Sequence, residues 1–72
     1  MANVNATPTI TMLGKTLEIR EEHDGRVSYH AGMVTAVVIA MPNAPVSDAV
    51  MIGAGERAQF HHLDDCQVLS IG

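Results

Sequence analysis

Four histidines and one cysteine, His23, His30, His61, His62 and Cys66, are the side chains of this sequence best suited to ligating a metal or attacking an electrophile. Imidazole nitrogens and a thiolate are the donors that zinc-like ions select, so the spacing of these five residues is the first thing to test. In an extended strand neighbouring side chains project to opposite faces, which prevents His61 and His62 from chelating one ion together. His23 falls in a turn, and His30 lies on the face opposite Tyr29. The spacing therefore predicts no metal site within one chain, although symmetric association could still gather copies of one histidine around an axis.

Nucleophilic catalysis fares no better. Cys66 would need a lowered pKa, yet Asp64 and Asp65 stand beside it and disfavour the thiolate. No oxyanion-hole turn or helix start accompanies it, so the cysteine reads as a small buried hydrophobe. Gly53-Ala54-Gly55-Glu56 contains a single Gly-x-Gly, short of any phosphate-binding fingerprint, and reads as a hairpin turn. The sequence predicts no catalytic residue and no cofactor, hence no enzyme.

Charge narrows the partners. Eight acidic residues oppose four basic ones, for a net charge of -4. Nucleic-acid affinity rests on lysine and arginine, so that class of partner is not expected. Glu21, Glu22 and Asp24 crowd one turn and offer an acidic surface to a basic partner. Their simpler role is to keep the turn solvated. The first residues lack the basic start and apolar centre of an export signal. The longest apolar run, from Ala31 to Met41, is shorter than the roughly 20 residues of a membrane helix. A cytoplasmic location is expected, and Asn5-Ala6-Thr7 is read as a chance glycosylation sequon.

The elements that would carry these residues are short strands. Thr9 to Arg20 suits a hairpin turning at Gly14-Lys15, with Met12 opposite Leu17 and Ile10 opposite Ile19 on one apolar face. A second turn follows at Asp24-Gly25. A two-residue loop there would set Ile19 against His30, whereas a three-residue loop with a bulge at Gly25 sets Ile19 against Tyr29. The apolar pattern favours the bulge. Met33 to Met41 is β-branched and apolar on both faces, as in a strand covered on both sides. Pro42 to Asp48 is a loop, because two prolines remove ladder donors. Ala49 to Ile52 and Arg57 to His62 follow as strands, the latter with Ala58 and Phe60 facing away from Arg57, Gln59 and His61. Leu63-Asp64-Asp65 forms a turn or one 3₁₀ step, and Cys66 to Ile71 forms a final edge strand.

These readings describe a flexible segment over residues 1–8 and a single small β domain over 9–72. The fold class is all-β: five to six antiparallel strands in a small barrel or strongly bent sheet. In length, strand rhythm and the segment Phe60-His61-His62-Leu63-Asp64-Asp65-Cys66-Gln67-Val68-Leu69, the chain resembles SH3-like small barrels. That resemblance implies architecture alone, since such barrels host unrelated functions.

A chain of 72 residues buries only about 60% of its unfolded surface. With no disulfide partner for Cys66, self-association is the expected support. The second apolar face, Val34, Ala36, Val38 and Ala40, together with Pro42, Asn43 and Pro45 of the loop, is the expected interface. The first functional expectation is a non-catalytic, homo-oligomeric binding or assembly module. Two alternatives accompany it: a small acidic inhibitor, of the kind phages or mobile elements encode, that occludes a basic site on a larger host protein, and an oligomer whose intersubunit pocket sequesters a small molecule.

Overall fold

The structure, a computed structural model, describes residues 8–72. Most of the segment expected to be flexible, and the whole Asn5-Ala6-Thr7 sequon, therefore lie outside the described residues. Five strands, β1 (Thr16–His23), β2 (Arg26–Val38), β3 (Ala49–Ile52), β4 (Gln59–His62) and β5 (Cys66–Ile71), form one sheet in the order β4-β3-β2-β1-β5. Every neighbouring pair is antiparallel. The fold is all-β, and the sheet does not close on itself. No helix among the described residues is long and apolar enough to cross a membrane.

The β1–β2 hairpin turns on Asp24 and Gly25, whose φ values of 52° and 78° are both positive. That is the pattern of a type I′ turn, whose twist matches the flanking strands and whose left-handed positions suit Asp and Gly. The two-residue register results, with His23 opposite Arg26 and Ile19 opposite His30. This corrects the expected bulge at Gly25. Asp24 accepts the left-handed conformation, so no extra loop residue is needed, and Tyr29 moves to the outer face, where it is 67% exposed.

The expected hairpin at Gly14-Lys15 is also corrected. Thr9–Met12 form a 3₁₀ turn, capped by the Pro8 carbonyl, which accepts from the Thr11 amide at 2.9 Å and the Thr11 hydroxyl at 2.6 Å. The turn carries Met12 into the core and leaves Ile10 exposed. Gly14 and Lys15 hydrogen-bond to Val34 instead of to each other's flanks: the Gly14 amide donates to the Val34 carbonyl, and the Val34 amide donates to the Lys15 carbonyl, both at 2.8 Å.

Strand β2 does not start afresh after Gly32. It runs unbroken for thirteen residues, pairing with β1 up to Met33 and with β3 from Val34 onward. Its ladder skips Thr35 between Val34 and Ala36, a one-residue bulge that resets the alternation. The Thr35 hydroxyl donates to the Gly53 carbonyl at 2.5 Å and pins the bulge. Val34 and Val37 consequently both face the core, and the expected common outer face of Val34, Ala36, Val38 and Ala40 does not form. A second irregularity, between Glu18 and Ile19, bends the β1–β5 ladder. The core is small: Met12, Leu17, Ile19, Val34, Val50 and Ile52, with Val37, Leu63, Cys66 and Val68 packed against it.

Strand β4 is shorter than expected, because Gly55–Arg57 form a 3₁₀ turn. Its faces are also inverted: His61 is buried, whereas Phe60 is 47% exposed. The register explains this, since His61 pairs with Val50 of the core and Phe60 with Met51. The strand Ala49–Ile52, the 3₁₀ step Leu63–Asp65 and the edge strand Cys66–Ile71 appear where the sequence places them.

Candidate functional site

Leu17, Ile19 and Glu21 alternate along β1 and therefore project to the same inner face. The first two are fully buried. Glu21 continues the row at its far end, where a carboxylate can stay inside only if it finds hydrogen-bond donors. It finds two. The Glu21 carboxylate oxygen Oε1 lies 3.2 Å from His30 Nε2 on β2 and 3.1 Å from His61 Nδ1 on β4. The imidazole rings are tilted by 40° with centroids 4.3 Å apart. Ser28 Oγ lies 3.0 Å from His30 Nε2.

This cluster reveals the curvature of the sheet. Strands β1 and β4 stand three places apart, and at about 4.8 Å per interval a flat sheet would separate them by roughly 14 Å. Direct contact between Glu21 and His61 requires the sheet to curl until its inner face meets itself. Burial grades across the site: the His61 side chain is 4% exposed, Glu21 20% and His30 29%. The cluster is thus rooted in the core and open at one edge. Two imidazoles and a carboxylate are a donor set that transition metals accept and that hard ions such as magnesium do not favour.

Cys66 pairs with Glu21 across the β1–β5 ladder. Burial pushes its thiol up to about 11, with the charges of Glu21 and Asp65 adding to the effect. A half-buried thiol packed against the core is what the structure shows at this position. His23 and His62 are exposed and apart from the cluster. His23 Nε2 lies 3.4 Å from Asp24.

The acidic residues singled out in the sequence do not share one surface. Glu21 turns inward, Glu22 turns outward within 3.7 Å of Arg20, and Asp24 occupies the turn. Of the expected interface residues, Val34 is in the core and Ala36 and Ala40 are half-buried, whereas Val38, Pro42, Asn43 and Pro45 are exposed.

Asp48 anchors the loop that holds these last three. Its carboxylate accepts from the Thr9 hydroxyl at 2.5 Å and the Ala40 amide at 2.7 Å, and its carbonyl accepts from the Leu63 amide at 2.9 Å. The Thr9 hydroxyl, followed by the Ala40 amide, holds the Asp48 carboxyl below its ordinary value. An open groove of about 490 Å³ runs beneath the loop between Thr9, Met41, Val46 and Leu63.

The Glu21–His30–His61 cluster escapes the sequence reading because the β4 alternation is inverted there and Glu21 is counted with the turn. A signal was present in the two-residue Asp24-Gly25 register, which places His30 inside. No protein-family model, no curated protein and no solved structure matches this chain.

Proposed function

We propose that this chain is a non-catalytic binding and assembly module: a small β domain of SH3-like type that works in the cytoplasm as a homo-oligomer. The carrying observation is its apolar exposure. Twelve large apolar side chains among the described residues remain exposed, against seven apolar residues that are buried. Met41, at 79% exposed, and the exposed Ile39 and Val46 flank the Pro42–Asn43–Pro45 segment in sequence. Surfaces of this kind mark interaction sites.

The two sheet ends add a second reason. Strands β4 and β5 each have one neighbour only, and an unprotected edge is a template for pairing with another chain. Joining β4 of one copy to β5 of the next uses two different surfaces, a head-to-tail arrangement that can close into a ring.

Light scattering coupled to size-exclusion chromatography tests the proposal. The expected result at micromolar concentration is a mass of two or more whole chains. Met41→Glu or Val46→Glu should reduce that mass while leaving the β-sheet circular dichroism unchanged. A monomeric wild-type chain overturns the reading.

A further inference from the structure

We propose that Glu21, His30 and His61 form a binding site for a divalent transition-metal ion of the zinc class, and that the bound ion fastens β1, β2 and β4 together. This goes beyond the assembly reading and does not depend on it. Zinc holds nitrogen and oxygen donors at 2.0–2.2 Å, and tetrahedral angles then place neighbouring donor atoms roughly 3.3–3.5 Å apart. Glu21 Oε1 stands 3.2 Å from His30 Nε2 and 3.1 Å from His61 Nδ1, a few tenths short of two edges of such a tetrahedron. All three donor atoms fall within 4.8 Å of one another.

The positions are held without the ion. Glu21 Oε1 is hydrogen-bonded with His61 Nδ1 and lies at ion-pair distance from His30 Nε2, packing fixes His61, and each residue sits on a strand and not on a loop. Sites built this way need little rearrangement to bind. Binding requires each ring to be neutral with its proton on the other nitrogen, Nδ1 for His30 and Nε2 for His61, so that a lone pair faces the centre. Three protein donors leave the fourth position of a tetrahedral ion for water. Ser28 Oγ, 3.0 Å from His30 Nε2, provides a hydroxyl beside it.

The two-histidine, one-carboxylate set selects for zinc, cobalt, nickel or copper over calcium and magnesium. The ion also answers the problem of a small core. A metal bound by the folded chain alone adds its binding free energy to stability. Here it would do so where the curled sheet meets itself.

The test uses the tag-free chain, stripped with a chelator and titrated with Zn²⁺, with Mg²⁺ as the control. The expected result is one zinc per chain, a thermal midpoint that rises with zinc and returns on chelation, and no response to Mg²⁺. The ¹⁵N imidazole resonances of His30 and His61 should move, while those of His23 and His62 stay in place. His30→Gln should weaken zinc binding by at least the roughly 10–100-fold that loss of an outer-shell partner costs. His23→Gln and His62→Gln should bind as the wild type does. Unmoved His30 and His61 resonances at saturating zinc, in the folded wild-type chain, overturn the proposal. So does equal weakening by His30→Gln and His62→Gln. The wild-type resonances decide the matter even if a variant fails to fold.

Discussion

The inner face of the sheet has two ends that are built on different physics. At one end Leu17, Ile19, Val34 and Val50 are each at most 1% exposed and are held by apolar area alone. At the other, two strand positions further along β1, Glu21, His30 and His61 are held by directional contacts of 3.1 and 3.2 Å. Apolar packing tolerates sliding and repacking, whereas a carboxylate shared by two rings fits only one arrangement of three strands. The apolar end therefore supplies most of the stability, and the polar end specifies how far the sheet curls.

Leu17→Ala should break the apolar end and cost about 2–5 kcal/mol, the range for emptying a fully buried leucine site. For a chain this small that is enough to abolish the cooperative urea transition. Gly32→Ala strikes the junction of the two ends. A Cβ there would stand 2.8 Å from Ile52 Cγ2, on backbone at φ +158°. The overpacking should cost about 1–3 kcal/mol, read as a lower urea midpoint.

Glu21→Ala removes the carboxylate that both rings contact and should cost about 1–3 kcal/mol, with His61 ring resonances broadening while Leu17 and Ile19 methyl shifts stay near their wild-type values. If the methyl shifts move as much as the ring signals, the two ends are not separable in this way. The smallest effect belongs to Cys66. Its thiol is raised to about 11 in the folded chain from an ordinary 9.0, so the folded state favours the protonated form. The resulting stability is present below pH 9 and declines as pH rises from 9 through 11. Cys66→Val should flatten that alkaline decline relative to the wild type, as seen in urea midpoints at pH 8 and pH 10.

Much of this molecule was legible in the sequence, and its gaps have a common origin. The strands at Ala49–Ile52 and Cys66–Ile71, the 3₁₀ step between His62 and Cys66 and the proline loop follow from local residue chemistry, and they lie where expected. The Gly14 turn, the Gly25 register and the faces of β4 depended on choosing which side chains were inside. That choice assumed an apolar interior. By that assumption Tyr29 and Phe60 read as inward for their hydrophobicity, and His30 and His61 as outward for their polarity.

The structure reverses both pairs, because a buried imidazole costs little once Glu21 satisfies it, and His61 lies forty positions from that partner. The bulge at Thr35 was equally hidden, since its anchor, the Gly53 carbonyl, lies across the sheet. No local pattern announces a partner that only the curled sheet brings near.

The unbroken course of β2 has a further consequence for how the molecule comes apart. One strand carries the ladder to β1 over its first half and the ladder to β3 over its second, with no loop between them at which the two could part. Fraying of either ladder exposes the shared strand and weakens the other. The two halves of the sheet therefore have no independent melting temperatures, and spectroscopic probes in β1 and in β3 should report a single coincident transition.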